Sequence, residues 1–182
     1  MPGGAYAAVR HLALRGYRNV GFVTDRTSAS SVDERLEGYL QAVRDFGLVA
    51  VPHVVVDEEI RRFPYAAWRH HLDRLRDELL SLRSHFPLGL FAMNDMVALQ
   101  CMRILLEEGI DVGGEVGLVG FDNDPACDMA PVPLTSVAQN GRSLGRAAAE
   151  ILAAKAQGHD MAIHRRTVPT QLVPRESCGE RR

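Results

Sequence analysis

Four side chains with hydrogen-bonding groups come shortly after apolar segments of the chain. They are Arg35, Asn94, Asp122 and Asn123. Arginine offers a fork of donors, a carboxylate accepts, and asparagine does both. Because each hydroxyl group donates and accepts, this set suits a small ligand that carries several hydroxyls. The sequence therefore predicts these four residues as candidate ligand contacts.

The apolar segments that precede these residues read as buried strands, at 19–24, 88–92 and 116–121. The third is rich in β-branched and aromatic residues and stops abruptly on the acidic turn that begins at Asp122. In open α/β sheets, ligands bind at the carboxyl ends of the strands. If the strands are parallel, the four candidates should meet at that edge of the sheet.

Each candidate also has a structural alternative. Arg35 can pair with a neighbouring carboxylate or simply be solvated. Asn94 is well placed to cap the helix that follows it, and the turn at Asp122 can merely close a strand. Asp95 is favoured as structural, because a carboxylate in the first turn of a helix interacts well with the helix dipole. The sequence leaves these alternatives open.

The pattern of the remaining segments indicates how the candidates are positioned. Apolar residues at helical spacing predict helices over 3–15, 32–46, 66–83, 94–108 and 141–157, and further extended segments lie at 51–56, 134–137 and 163–173. Polar loops are expected at 25–31 and 57–65. Strands alternate with helices from residue 19 to residue 121, which is typical of βαβ units. The prediction is an α/β fold with a parallel sheet flanked by helices.

Composition excludes several classes of function for this stretch of chain. Its 182 residues carry a formal net charge of −2, so a basic nucleic-acid-binding surface is not indicated. No apolar run approaches a membrane span and no secretory signal is recognisable. The three cysteines have no CxxC spacing and are expected to be free thiols. We predict a cytoplasmic protein without membrane contact.

Metal, cofactor and catalytic sites are not predicted. His70 and His71 are adjacent, so they point to different faces of a helix and cannot act as a chelating pair. The chain contains no P-loop, HExxH or GxGxxG motif. The hypothesis that the chain is an enzyme would rest only on polar residues at a strand edge. We therefore predict a binding protein that is not an enzyme and has no cofactor.

Seven short segments, in order and at similar spacing, resemble the LacI/GalR family of bacterial transcription repressors. They begin with helix 4–15 and RGYRNV and continue with RLEGY at Arg35, FAMND at Phe91, GIDV at Gly109, VGFDN at Val119, PLTSV at Pro133 and LVPRES at Leu172. Each segment alone is a weak pattern, and the resemblance rests on all seven segments occurring in the same order. The resemblance covers nearly the whole chain.

This resemblance implies a periplasmic-binding-protein-like effector domain of type I, with two lobes around a cleft for a sugar or similar small polar molecule. It also implies a homodimer, and an N-terminal helix-turn-helix that binds operator DNA and has no counterpart in this sequence. By the match, Arg35, Asn94 and Asp122 fall on positions that commonly bind effector hydroxyls. The rival hypotheses are a sugar-binding protein of a transport system and, less favoured, a sugar or phosphosugar enzyme.

The resemblance also implies a division of the chain. Residues 1–17 would be a leftover helix of the first lobe, 18–137 a nearly complete second lobe, 138–160 a helix of the first lobe, and 161–182 a return to the second lobe with a polar tail. Helix 141–157 would then present an apolar face to a sheet outside this chain. We therefore predict that the chain is a piece of a longer regulator.

Overall fold

The computed structural model describes residues 3–25, 30–56, 68–157 and 166–179. Parts of the predicted elements fall outside these residues: 26–29 and 57–65 of the polar loops, 66–67 of the third helix and 163–165 of the last extended segment. Every statement below refers to the described residues.

Six α-helices and seven strands alternate along the described chain. The helices are α1 (Gly4–Arg15), α2 (Ser30–Asp45), α3 (Trp68–Ser81), α4 (Asp95–Glu107), the short α5 (Ala126–Met129) and α6 (Gly141–Ala156). The strands are β1 (Asn19–Asp25), β2 (Val49–Ala50), β3 (Val54–Val56), β4 (Leu88–Ala92), β5 (Val116–Asp122), β6 (Thr135–Ala138) and β7 (Gln171–Val173). Short 3₁₀ turns lie at Arg83–His85 and Glu176–Cys178.

The strands form one sheet in the order β2-β1-β4-β5-β6-β7, and β3 also pairs with β1. All pairs from β1 to β6 are parallel, as predicted, whereas β7 runs antiparallel to β6. The strand predicted over 51–56 is instead two short strands on either side of Pro52. Proline has no amide hydrogen to give to a ladder, which accounts for the interruption.

The sheet is the middle of three layers. Successive side chains of a strand point to opposite faces. Phe121 faces α1, where a Cβ added to Gly4 would lie 2.8 Å from its ring, whereas a Cβ on Gly120 would lie 2.1 Å from the carboxylate of Asp95 in α4. Helices α1 and α2 thus cover one face, and α3 and α4 cover the other. This arrangement confirms the predicted α/β fold with a helix-flanked sheet.

An aromatic stack marks the centre of the core on the α2 side. Phe22 of β1 stacks on Phe91 of β4 with ring centroids 5.2 Å apart and on Tyr39 of α2 at 5.8 Å. The Tyr39 hydroxyl donates to the carbonyl of Val20 at 3.0 Å. Burial raises the pKa of Tyr39 to about 12, so the hydroxyl stays protonated and the bond to β1 is kept.

Helix α1, which the predicted division places in the first lobe, packs on this sheet. Ala8, Val9 and Leu12 are fully buried in the same core as the strands. Leu12 lies over Gly89 of β4, where an added Cβ would come within 3.1 Å of its side chain. The missing side chain at Gly89 lets the apolar stripe of α1 approach the sheet closely, so residues 4–15 belong to one unit with the strands.

Helix α6 differs from α1 in this respect. Leu144 is 50% exposed and Leu152 is 68% exposed, and Ala147 is the one residue of the helix that is buried. Asn140 caps the helix by accepting from the amide of Ser143. The apolar face is thus uncovered within the described residues. The predicted division of the chain into lobes stays a prediction.

Candidate functional site

The carboxyl ends of β1, β4 and β5 lie side by side. The registers pair Val23 with Ala92 and Phe91 with Val119, so the three central strands are aligned at this end. Helix α2 follows β1, Asn94 follows β4, and β5 ends on Asp122. The topology of the sheet therefore allows polar residues from distant parts of the sequence to meet at this edge, as predicted.

Arg35 and Asp122 are in contact at this edge. A terminal guanidinium nitrogen of Arg35 lies 3.7 Å from Oδ1 of Asp122, and the guanidinium carbon lies 4.2 Å from the centroid of the Phe121 ring. The Arg35 side chain is 14% exposed and that of Asp122 is 48% exposed. The buried ring holds the guanidinium from one side, because a cation is attracted to the face of an aromatic ring.

Asp122 occupies an unusual backbone conformation. Its φ is 112° and that of Asn123 is 57°, a region that residues other than glycine seldom adopt. The carboxylate also accepts a hydrogen bond from the side-chain amide of Gln139, at 2.5 Å. Gln139 stands just beyond the end of β6, so the same strand-end reasoning that selected Asp122 applies to it, although the sequence analysis did not select it.

Asn94 is the N-cap of α4. Its Oδ1 accepts from the amide of Val97 at 2.9 Å, which realises the structural alternative considered for this residue. The cap occupies the oxygen, so the group that Asn94 would offer to a ligand is its amide NH₂. Capping and ligand binding are therefore compatible at this position.

Asn123 is held by two contacts on the protein side. Its backbone amide donates to Oγ of Ser136 at 3.0 Å, and its Oδ1 accepts from the guanidinium of Arg175 at 3.0 Å. Arg175 also donates to Asp128 and to the carbonyl of Leu134. The segment after β7 thus holds the turn that follows β5 through hydrogen bonds. This long-range contact cannot be predicted from a local sequence pattern.

Asp95 lies beneath this turn and is 2% exposed. Its carboxylate accepts from Oγ of Ser136 at 2.6 Å and from the backbone amide of Asp124 at 2.7 Å. Burial raises the pKa of Asp95, while the hydrogen bonds from Ser136, Asp124 and Cys127 act in the opposite direction. The structural role favoured for Asp95 from its sequence position agrees with these contacts.

The described residues hold no group of three or more His, Cys, Asp or Glu side chains arranged for a metal ion. Nor do they include a helix long and apolar enough to span a membrane. The side chains of Arg35, Asn94 and Asp122 offer hydrogen-bond donors and acceptors at the sheet edge. A guanidinium, an amide and a carboxylate can together bind hydroxyl groups on one molecule.

Comparison with known proteins assigns the fold to a family. Residues 9–178 match the periplasmic binding protein-like domain. The chain belongs to this family. Its curated relatives include the HTH-type transcriptional regulator DegA of Bacillus subtilis, which is 28% identical over 97% of the chain and 50% of its own length. This periplasmic-binding-protein-like chain thus spans about half the length of the curated relatives that it matches.

Solved structures agree with this assignment. The lac repressor dimer bound to operator and an anti-inducer superposes with a TM-score of 0.81 at 23% identity, covering 98% of the chain and 50% of the repressor. The complex of the transcriptional regulator CelR with cellobiose gives a TM-score of 0.79 at 26% identity, covering 96% and 51%. The predicted resemblance of the periplasmic-binding-protein-like chain to LacI-type regulators is confirmed.

Proposed function

We propose that this chain is the effector-binding part of a LacI/GalR-type transcriptional regulator, and that Arg35, Asn94 and Asp122 form one wall of its site for a small polyhydroxylated molecule. The observation that carries the proposal is the contact of Arg35 with Asp122 over the ring of Phe121, at the carboxyl end of parallel strands. The names of the relatives support the regulatory role.

The charges of this wall favour a neutral ligand. The guanidinium of Arg35 and the carboxylate of Asp122 are close enough to compensate each other, so the pair presents donors and acceptors without a large net charge. A hydroxyl group can accept from Arg35 and donate to Asp122 at once. The sugar class is also supported by the cellobiose bound to CelR. Asn123 we place in the supporting turn, because Arg175 engages its oxygen.

In the whole protein, we expect ligand binding to shift the population of conformations that bind operator DNA. The DNA contacts would come from a helix-turn-helix domain, and the regulator would act as a cytoplasmic homodimer without a cofactor or catalytic activity. The dimeric lac repressor and the helix-turn-helix regulators among the relatives support this proposal.

The test is isothermal titration of the intact parent regulator with D-ribose, cellobiose and adenosine, for the wild type and for Asp122→Ala. We expect the variant to weaken binding by about 1–3 kcal/mol, because one charged hydrogen bond to the ligand is lost. Asp73→Asn, which changes an exposed carboxylate on α3, is the matched control and should leave affinity unchanged. Equal affinity in Asp122→Ala would remove Asp122 from the site.

The family description favours one second candidate, a binding protein of a transport system. Both candidates bind the same class of ligand, so affinity alone does not separate them. Ligand-dependent retardation of a DNA fragment from the promoter of the parent gene supports the regulator. Ligand binding without any DNA binding by the intact parent supports the transport protein.

A further inference from the structure

The carboxylate of Asp95 lies beneath the turn that begins at Asp122 and holds this turn through hydrogen bonds. One oxygen of Asp95 accepts directly from the backbone amide of Asp124, at 2.7 Å. The other accepts from Oγ of Ser136 at 2.6 Å, and the same Oγ accepts from the backbone amide of Asn123 at 3.0 Å. Two successive amides are therefore tied, directly or through one hydroxyl, to a single buried carboxylate.

These hydrogen bonds lie next to two residues that have an unusual backbone conformation. Asp122 and Asn123 both have positive φ, at 112° and 57°. Residues with a Cβ seldom adopt such angles, and the surrounding structure must hold them there. The amides of Asn123 and Asp124 come directly after the strained positions, so their bonds to Ser136 and Asp95 hold the turn in this conformation.

From these contacts we infer that Asp95 is the positioning residue of the proposed site. By holding the amides of Asn123 and Asp124, it directs the carboxylate of Asp122 toward Arg35. The inference rests on the proposed function only where it concerns the ligand, since Asp95 is buried beneath the turn and would act on a ligand through Asp122. Its effect on the turn can be measured without any ligand.

A carboxylate is required here because several donors converge on it. The hydroxyl of Ser136, the amide of Asp124 and the thiol of Cys127 all donate to Asp95. A side-chain amide has one acceptor oxygen, and its NH₂ group would face one of these donors. Asp95→Asn therefore keeps the shape of the side chain and breaks the network. Gly120 also leaves room for this carboxylate, because an added Cβ would lie 2.1 Å from Oδ1.

Nuclear magnetic resonance on the full 182-residue chain tests the inference without a ligand. In Asp95→Asn, we expect amide hydrogen exchange at Asn123 and Asp124 to accelerate by about tenfold or more. Asp124 loses its carboxylate acceptor, and the Ser136 hydroxyl that accepts from Asn123 is no longer held by that carboxylate. The guanidinium signals of Arg35 should shift in the same direction as in Asp122→Asn. The control Asp73→Asn should change neither readout.

Ser136→Ala separates the two links. It removes the relay to Asn123 and leaves the direct bond to Asp124, so exchange should accelerate at Asn123 alone. If Asp95→Asn does not fold, this variant decides the question by itself. Unchanged exchange at Asn123 together with unchanged Arg35 signals would overturn the inference in either variant.

Ligand affinity supplies a readout that a merely structural role would not move. In the intact parent, Asp95→Asn should weaken binding of the best sugar from the titration when Asp122 is present, and have no further effect in an Asp122→Asn background. Equal weakening in both backgrounds would show general damage and contradict positioning through Asp122. If no tested sugar binds, the proposed function fails, and the exchange experiment still decides the role of Asp95.

Discussion

Arg35 and Asp122 are 87 positions apart in the sequence, and their charged groups lie 3.7 Å apart above the ring of Phe121. The ring is buried and holds the guanidinium from one side, while the carboxylate is half-exposed at the end of β5. The pair thus combines a rigid donor with an acceptor that a ligand can reach. The predictions below concern this pair and the elements that hold it.

Arg35→Lys should weaken ligand binding by roughly 1–2 kcal/mol although it keeps the charge, because lysine lacks the planar fork and the stacking on Phe121. The measurement is isothermal titration of the intact parent with the sugar that binds best. Arg103→Lys, on an exposed position of α4, is the control and should bind as the wild type does. Full affinity in Arg35→Lys would show that charge alone is needed at this position.

Gly120→Ala should lower the free energy of unfolding by about 2 kcal/mol or more, because the new Cβ would collide with the carboxylate of Asp95. Urea denaturation followed by circular dichroism measures the loss. Gly145→Ala is the matched control, since nothing lies within 4 Å of an added Cβ there and alanine favours the helix. A stable Gly120→Ala variant would mean that Asp95 can move without loss.

Leu12→Ala and Leu152→Ala compare the two helices that were assigned to the first lobe. Leu12 is fully buried against the sheet, so its truncation should lower the free energy of unfolding by about 2–5 kcal/mol. Leu152 is 68% exposed, and its truncation should change stability by less than about 0.5 kcal/mol. Denaturant titration of both variants is the check. Similar losses would show that α6 is packed in solution.

His11 should make stability depend on pH. Partial burial, together with the nearby Arg15, lowers the pKa of His11 from 6.5 to about 4. Its Nε2 is buried and has no hydrogen-bond partner among the described residues. Between pH 6.5 and 4 the unfolded chain therefore binds more protons than the folded chain, so the free energy of unfolding falls as the pH is lowered through this window.

The expected loss from His11 is roughly 1–2 kcal/mol, which is less than the full shift would give because the ring is partly exposed. Denaturation at pH 7 and pH 4.5 should show a smaller difference between the two pH values in His11→Leu than in the wild type. The same difference in both proteins would assign the pH dependence to other groups.

The amino-acid sequence is enough to predict the alternation of strands and helices and the edge of the sheet at which its polar residues meet. Apolar runs such as 88–92 and 116–121 identify buried strands, and the chirality of βαβ connections then places all their carboxyl ends on one edge. That reasoning placed Arg35 and Asp122 among the candidates, because the handedness of βαβ connections follows a general rule. Their contact in the structure agrees with it.

The hydrogen bonds that hold the site, and the set of helices that share its core, could be identified only in the folded chain. The relay from Asn123 through Ser136 to Asp95, and the clamp of Arg175 on Asn123, join polar groups that are far apart in sequence and follow no periodic pattern. Helices α1 and α6 both carry an apolar stripe, and α1 alone meets a surface that fits it, through the space left by Gly89. Periodicity shows that a face is apolar, whereas its partner depends on the shape of residues distant in the chain.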